Sequence, residues 1–78
     1  MKLSEARAKF IGKQFRIKHA ERGYYHTYVI ENVIGKCTAI ESYWYEIENE
    51  RKHYFSFRID SPELCNKWFS AHEIEPVK

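Results

Sequence analysis

The 78-residue chain has two cysteines, two prolines, three glycines and no apolar run longer than a few residues. Each shortage excludes something. Cys37 and Cys65 are too few for the disulfide framework of a small secreted scaffold, which usually shows four or more. Neither belongs to a CxxC pair, so both read as reduced thiols packed as small hydrophobes, with one bridge between them as the alternative. The apolar runs fall short of the about twenty residues needed to cross a bilayer. Met1-Lys2-Leu3-Ser4-Glu5 offers no continuous apolar stretch of the signal-peptide kind, so a soluble, cytoplasmic protein is expected.

Gly12, Gly23 and Gly35 each stand alone, so no glycine-rich loop is available to cradle a phosphate. There is no GxSxG, HExxH or Walker pattern. Catalytic sites need several positioned groups, and nothing in the spacing supplies them, so the expectation is no enzyme and no cofactor. His19, His26, His53, His72 and the two cysteines are six potential metal ligands, but none form the closely spaced pairs of structural zinc sites. Strand pairing would bring His19 near His26 across a turn, and such a surface pair is ordinarily solvated. No metal is expected.

Aromatic side chains are what the chain has in quantity: six Tyr, five Phe and two Trp. A domain this short hides only ~60% of the surface its unfolded chain exposes, so one small domain with a thin core is expected. Rings burying roughly 150–250 Å² each strengthen such a core. Net charge is +2, unevenly spread. Residues 1–22 carry +5, residues 23–50 carry −4 and residues 51–78 carry +1. A basic first quarter beside an acidic centre supports pairing within the fold, or one positive face toward a partner.

Ser4 reads as an N-cap for a short helix over residues 5–11, with Leu3, Ala6 and Phe10 on its docking face and Gly12 ending it. Lys13–His19 alternates as a strand, Phe15 and Ile17 inward, Gln14, Arg16 and Lys18 outward. Glu21-Arg22-Gly23 reads as a turn. Tyr24–Val33 is a second strand and Ile34-Gly35-Lys36 a second turn. Cys37–Ile47 is a third strand. Neither face of strands two and three is clearly polar, so their core side stays open. Glu48 to Arg51 is a polar turn, and His53–Ile59 a fourth strand with Phe55, Phe57 and Ile59 inward. Asp60-Ser61-Pro62-Glu63 is a helix start, with Leu64 stacking on Trp68 and Cys65 on Phe69 before an end near Ser70. Residues 73–77 are extended, Ile74 inward, with Pro76 marking an edge.

The fold class is therefore mainly β, with an N-terminal short helix and a short helix before the last strand. Either five antiparallel strands curl into a small barrel or the sheet stays an open meander. The order is similar to SH3-like barrels, whose last strand follows one helical turn; that resemblance of architecture licenses no function. The barrel is preferred, because strands two and three are apolar on both faces.

Thirteen rings exceed what so small a core needs, so some tyrosines must face solvent. Exposed Tyr and Trp mark recognition surfaces. The functional expectation is a non-enzymatic protein-binding module with Arg16, Lys18, Tyr25, Tyr28 and Tyr54 as its contact residues. The alternative is single-stranded nucleic acid on the same basic and aromatic face. A small-ligand pocket in a barrel mouth is a third reading. A purely structural homo-oligomer is a further alternative, and the sequence does not decide oligomeric state.

Overall fold

The computed structural model describes residues 2–64 and 67–77. A helix, α1 (Leu3–Phe10), leads into seven strands: β1 (Gln14–Ile17), β2 (Ala20–Arg22), β3 (Tyr28–Ile30), β4 (Val33–Ile47), β5 (Glu50–Asp60), β6 (Lys67–Ser70) and β7 (Ile74–Pro76). A 3₁₀ turn over Ala71–Glu73 joins β6 to β7. Five strands form one sheet in the order β6-β5-β4-β1-β7, and β2 and β3 form a separate ribbon. Every ladder is antiparallel.

The preferred barrel is not what forms. β6 and β7 are the two edges of the larger sheet, and no ladder joins them among the described residues. The sheet stays open, but it is not the plain meander that was the alternative: β7 returns to pair with β1, and the β2–β3 ribbon is left outside the sheet. Its core side is covered instead by α1, the β2–β3 ribbon and the turn at Leu64. The core gathers Phe15, Ile17, Cys37, Ile40, Phe57, Ile59, Phe69 and Ile74 from the sheet, with Ala6, Ala20, Ile30 and Leu64 from the covering elements. Leu3 and Phe10 pack on it from the expected face of α1. Cys37 is a free, buried thiol, and burial pushes its ionisation above the usual cysteine range.

Several boundaries differ from the sequence reading, each for a physical reason. The helix cap is Lys2, without a side-chain bond, and Ser4 lies inside the first turn. Glu21 and Arg22 belong to β2, and the turn shifts to Gly23. That glycine sits at φ 121°, and a Cβ there would lie 1.9 Å from the carbonyl oxygen of His26. Tyr24–Thr27 is consequently a loop, and the expected ten-residue strand shrinks to β3. Asn32, at φ 56°, breaks the chain before β4. Gly35 is no turn residue: it pairs with Phe15 inside β4. A Cβ on it would meet Ile59 Cγ2 at 2.6 Å and the Asp60 carbonyl oxygen at 2.7 Å. A strand glycine here marks close backbone approach.

The expected helix from Pro62 is a single turn. Ser61 Oγ accepts the Glu63 amide at 3.2 Å, and the Leu64 amide donates to the Ser61 carbonyl. Trp68 and Phe69 then pair with Arg58 and Phe57 in a ladder, where aromatic residues fit a pleated surface better than a short helix. Cys65 and its expected stacking on Phe69 lie outside the described residues.

The β4–β5 hairpin settles which side of the third strand faces the core. Its register runs from Lys36↔Asp60 to Ile47↔Glu50, with one irregularity between Cys37 and Ala39. Thr38 is the extra residue of a β-bulge, stapled by Arg58 Nε donating to Thr38 Oγ1 at 2.9 Å. The bulge lets Cys37 and Ile40, three apart, both face inward. Beyond it, Ser42 and Trp44 lie on the core side and Tyr43 and Tyr45 on the outer side. The hairpin closes through Glu48 and Asn49 at φ 52° and 66°, the left-handed pair of a two-residue hairpin turn.

Candidate functional site

All six tyrosines and both tryptophans are exposed; the rings that the core seals are phenylalanines. This division follows from chemistry. A phenol or indole must find a hydrogen-bond partner when buried, whereas a phenyl ring has nothing to satisfy. Apart from Trp68 on β6, the exposed rings sit in two places.

The first is the loop beyond β2. Tyr24 and Tyr25 are 92% and 89% exposed and meet edge to face at 4.9 Å. Tyr28 follows on β3, with Lys67 Nζ 5.6 Å from its ring centre. This ribbon is fastened to the body by Arg22. Its guanidinium donates two bonds to the Glu73 carboxylate, at 2.9 and 2.8 Å, and one to the Trp68 carbonyl at 2.9 Å. Glu73 also accepts the Ser70 amide and hydroxyl at 3.0 Å. The Arg22 fork, followed by the Ser70 bonds, holds the Glu73 carboxyl well below the ordinary 4.5, at about 2. The pair is largely shielded, so water screens it less than a surface pair.

The second place is the distal half of the β4–β5 hairpin, an arm about 15 Å long by strand geometry. Its residues from Tyr43 to Tyr54 are all exposed. On the outer side Tyr43 stacks on its cross-strand partner Tyr54 at 5.3 Å, and Tyr45 meets Tyr54 edge to face at 5.5 Å. On the core side Arg51 lies 4.7 Å from the Trp44 ring, Trp44 lies 4.6 Å from His53, and His53 lies 4.9 Å from Phe55. Phe55 then meets Phe57, which meets Phe10 and Phe15. A continuous row of rings therefore leads from the sealed core to solvent.

The five residues expected to form the contact surface are not gathered in one place. Tyr54 belongs to the arm; Tyr25 and Tyr28 belong to the β2–β3 ribbon. Arg16 is on the outer side of β1, its Nε 2.9 Å from Glu75 on β7. Lys18 is exposed just beyond β1, where its amide donates to the Glu73 carbonyl. The expected list omitted Tyr43, Trp44, Tyr45, Arg51 and His53. A signal for them was present: a two-residue turn at Glu48-Asn49 fixes the register and aligns Tyr43 with Tyr54 and Trp44 with His53.

Some of the sheet's charges are paired within the chain. Arg7 reaches Glu41 at 3.4 Å and Lys52 reaches Glu50 at 3.0 Å. His19 is not set against His26: the ladder Ala20↔Ile30 puts it beside Glu31, with Nδ1 2.9 Å from the carboxylate. That bond to Glu31, with a weaker contribution from Glu21, raises His19 above the ordinary histidine value. Among the described residues, no three His, Cys, Asp or Glu side chains are placed to hold a metal ion. Open hollows among the described residues include one of about 280 Å³ between β3 and Leu64 and one of about 430 Å³ beside His19 and His72. No helix among the described residues is long and apolar enough to cross a membrane. No protein-family model matches the chain, and neither curated proteins nor solved structures give a significant match.

Proposed function

We propose that this protein is a non-enzymatic module that docks on another protein through the tyrosine-bearing arm of its β4–β5 hairpin. The observation that carries the reading is the exposure of Tyr43, Trp44, Tyr45 and Tyr54 on a ribbon with no covering element among the described residues. Held in stacked pairs, these rings are already ordered, so contact costs little further side-chain entropy. Aromatic anchors on a rigid element are the usual energetic centre of a protein interface. Phosphate recognition is less well supported. Arg7, Arg16, Arg22 and Lys52 are paired with carboxylates, and Glu46, Glu48 and Glu50 lie on the arm. The connectivity is similar to that of SH3-like barrels, with one helical turn before the last strand, and this analogy adds no function.

Selection of displayed peptides on the immobilised chain tests the reading. Binders are expected that lose affinity for a Tyr43→Ser, Tyr45→Ser, Tyr54→Ser triple variant and are little affected by salt between 50 and 200 mM. Selected peptides that bind the triple variant equally well overturn it. Oligonucleotide binding that collapses over the same salt range would replace it with the phosphate reading.

A further inference from the structure

We infer that the partner of the arm is a second copy of this chain, added antiparallel along the free edge of β4 about a two-fold axis at Trp44. The inference rests on the docking role of the arm and names its occupant.

β1 covers β4 only over Val33–Lys36, so the side of β4 away from β5 carries no strand from there outward among the described residues. Backbone bonds show which groups face that side. Cys37 exchanges bonds with Gly12 and Lys13, and Arg7 Nε donates to the Ile40 carbonyl at 3.2 Å. Alternation from Ile40 then directs the amides and carbonyls of Ser42, Trp44 and Glu46 to the open side. The two-residue turn gives the same answer independently: it makes Ile47 and Glu50 a hydrogen-bonded pair, so Tyr43 and Tyr45 spend their backbone groups on β5.

Such an edge invites a strand, and the sequence along it selects this one. Tyr43-Trp44-Tyr45 is a palindrome. A two-fold interface requires that if residue i meets j, j also meets i. Centred on Trp44, antiparallel pairing sets Trp44 opposite Trp44, Tyr43 opposite Tyr45 and Ser42 opposite Glu46, with no like charges facing. Ring against ring across a ladder is the favourable arrangement. The ladder also ends where it should: Ile40 has given its carbonyl to Arg7, and Glu48 has left the strand for the turn. In that register Glu48 of each copy arrives at Ile40 of the other, where Arg7 already sits. The basic helix and acidic arm tip are thereby brought together between copies. The β5 edge does not compete, because Arg51 and Lys52 there are charges of the kind that discourage strand addition.

The test is sedimentation velocity of the full chain over a wide concentration range, together with amide exchange read residue by residue. A reversible dimer is expected, with the Ser42, Trp44 and Glu46 amides gaining protection as concentration rises and those of Tyr43 and Tyr45 protected throughout. Arg7→Glu and Glu48→Arg should each raise the dimer Kd roughly tenfold, and the double variant should bring it back. A dimer whose three edge amides exchange independently of concentration overturns the inference. A monomer that still captures selected peptides through its tyrosines overturns self-pairing alone; a monomer that captures none overturns the docking role as well.

Discussion

Near the body, Ile40 and Phe57 face each other across the β4–β5 ladder and are sealed from water. Three residues further out, Tyr43 and Tyr54 make the same kind of cross-strand pair in open solvent. One hairpin thus holds two environments. Where α1 and the β2–β3 ribbon cover the sheet, apolar area is hidden and contributes to folding at about 25 cal/mol per Å². Where no described residue covers it, the same type of contact stabilises only the local ribbon. The difference teaches that a ladder by itself does not define a core; the covering layer does.

The comparison breaks first in the body. Phe57→Ala removes a buried ring in contact with Phe10, Phe15 and Phe55 and is expected to cost about 3–5 kcal/mol in urea unfolding. A smaller loss would mean that the covering layer is looser than described. Next, Arg22→Met strips Glu73 of its partner and should cost about 2 kcal/mol, since Glu73 is shielded while Arg22 keeps some contact with water. The pH signature is specific. Glu73 titrates at about 2 in the fold against 4.5 ordinarily, so its contribution is complete above pH 4.5 and drains away as pH falls toward 2. The variant should lose that part of the acid slope, measurable as melting temperature against pH.

The arm should respond more gently. Glu48 holds a left-handed conformation that costs a side chain with a Cβ roughly 1 kcal/mol, so Glu48→Gly should recover up to about 1 kcal/mol and sharpen the arm's amide protection. The smallest effect is the ring pair itself. A double-mutant cycle on Tyr43→Ser and Tyr54→Ser should give a coupling of about 0.5 kcal/mol. Coupling near the value for a sealed pair would show that the arm is covered after all.

The strands of period two were legible from their residues: Phe15 and Ile17, then Phe55, Phe57 and Ile59, point where alternation says. So was the excess of rings over core. What misled were residues whose local signal has two meanings. Gly35 reads as a turn residue until Ile59 and Asp60 are seen to press against it. Asp60-Ser61-Pro62 reads as a helix start, and gives one turn because Phe57 and Arg58 hold Phe69 and Trp68 in a ladder. The candidate surface was half legible. Its residue types were evident, but Tyr54 was grouped with Tyr25 and Tyr28 of another ribbon, since adjacency in space depends on register and not on composition.

The bulge at Thr38 has a consequence for how this chain tolerates changes in length. Removing that one surplus residue would restore plain alternation and leave Ile40 inward and Tyr43 outward, as before. Any single insertion or deletion between Ile40 and Ile47 would instead turn the ribbon over, presenting the indole where the phenols now stand. Length variants among descendants of this sequence should therefore accumulate at Thr38 and be purged further out.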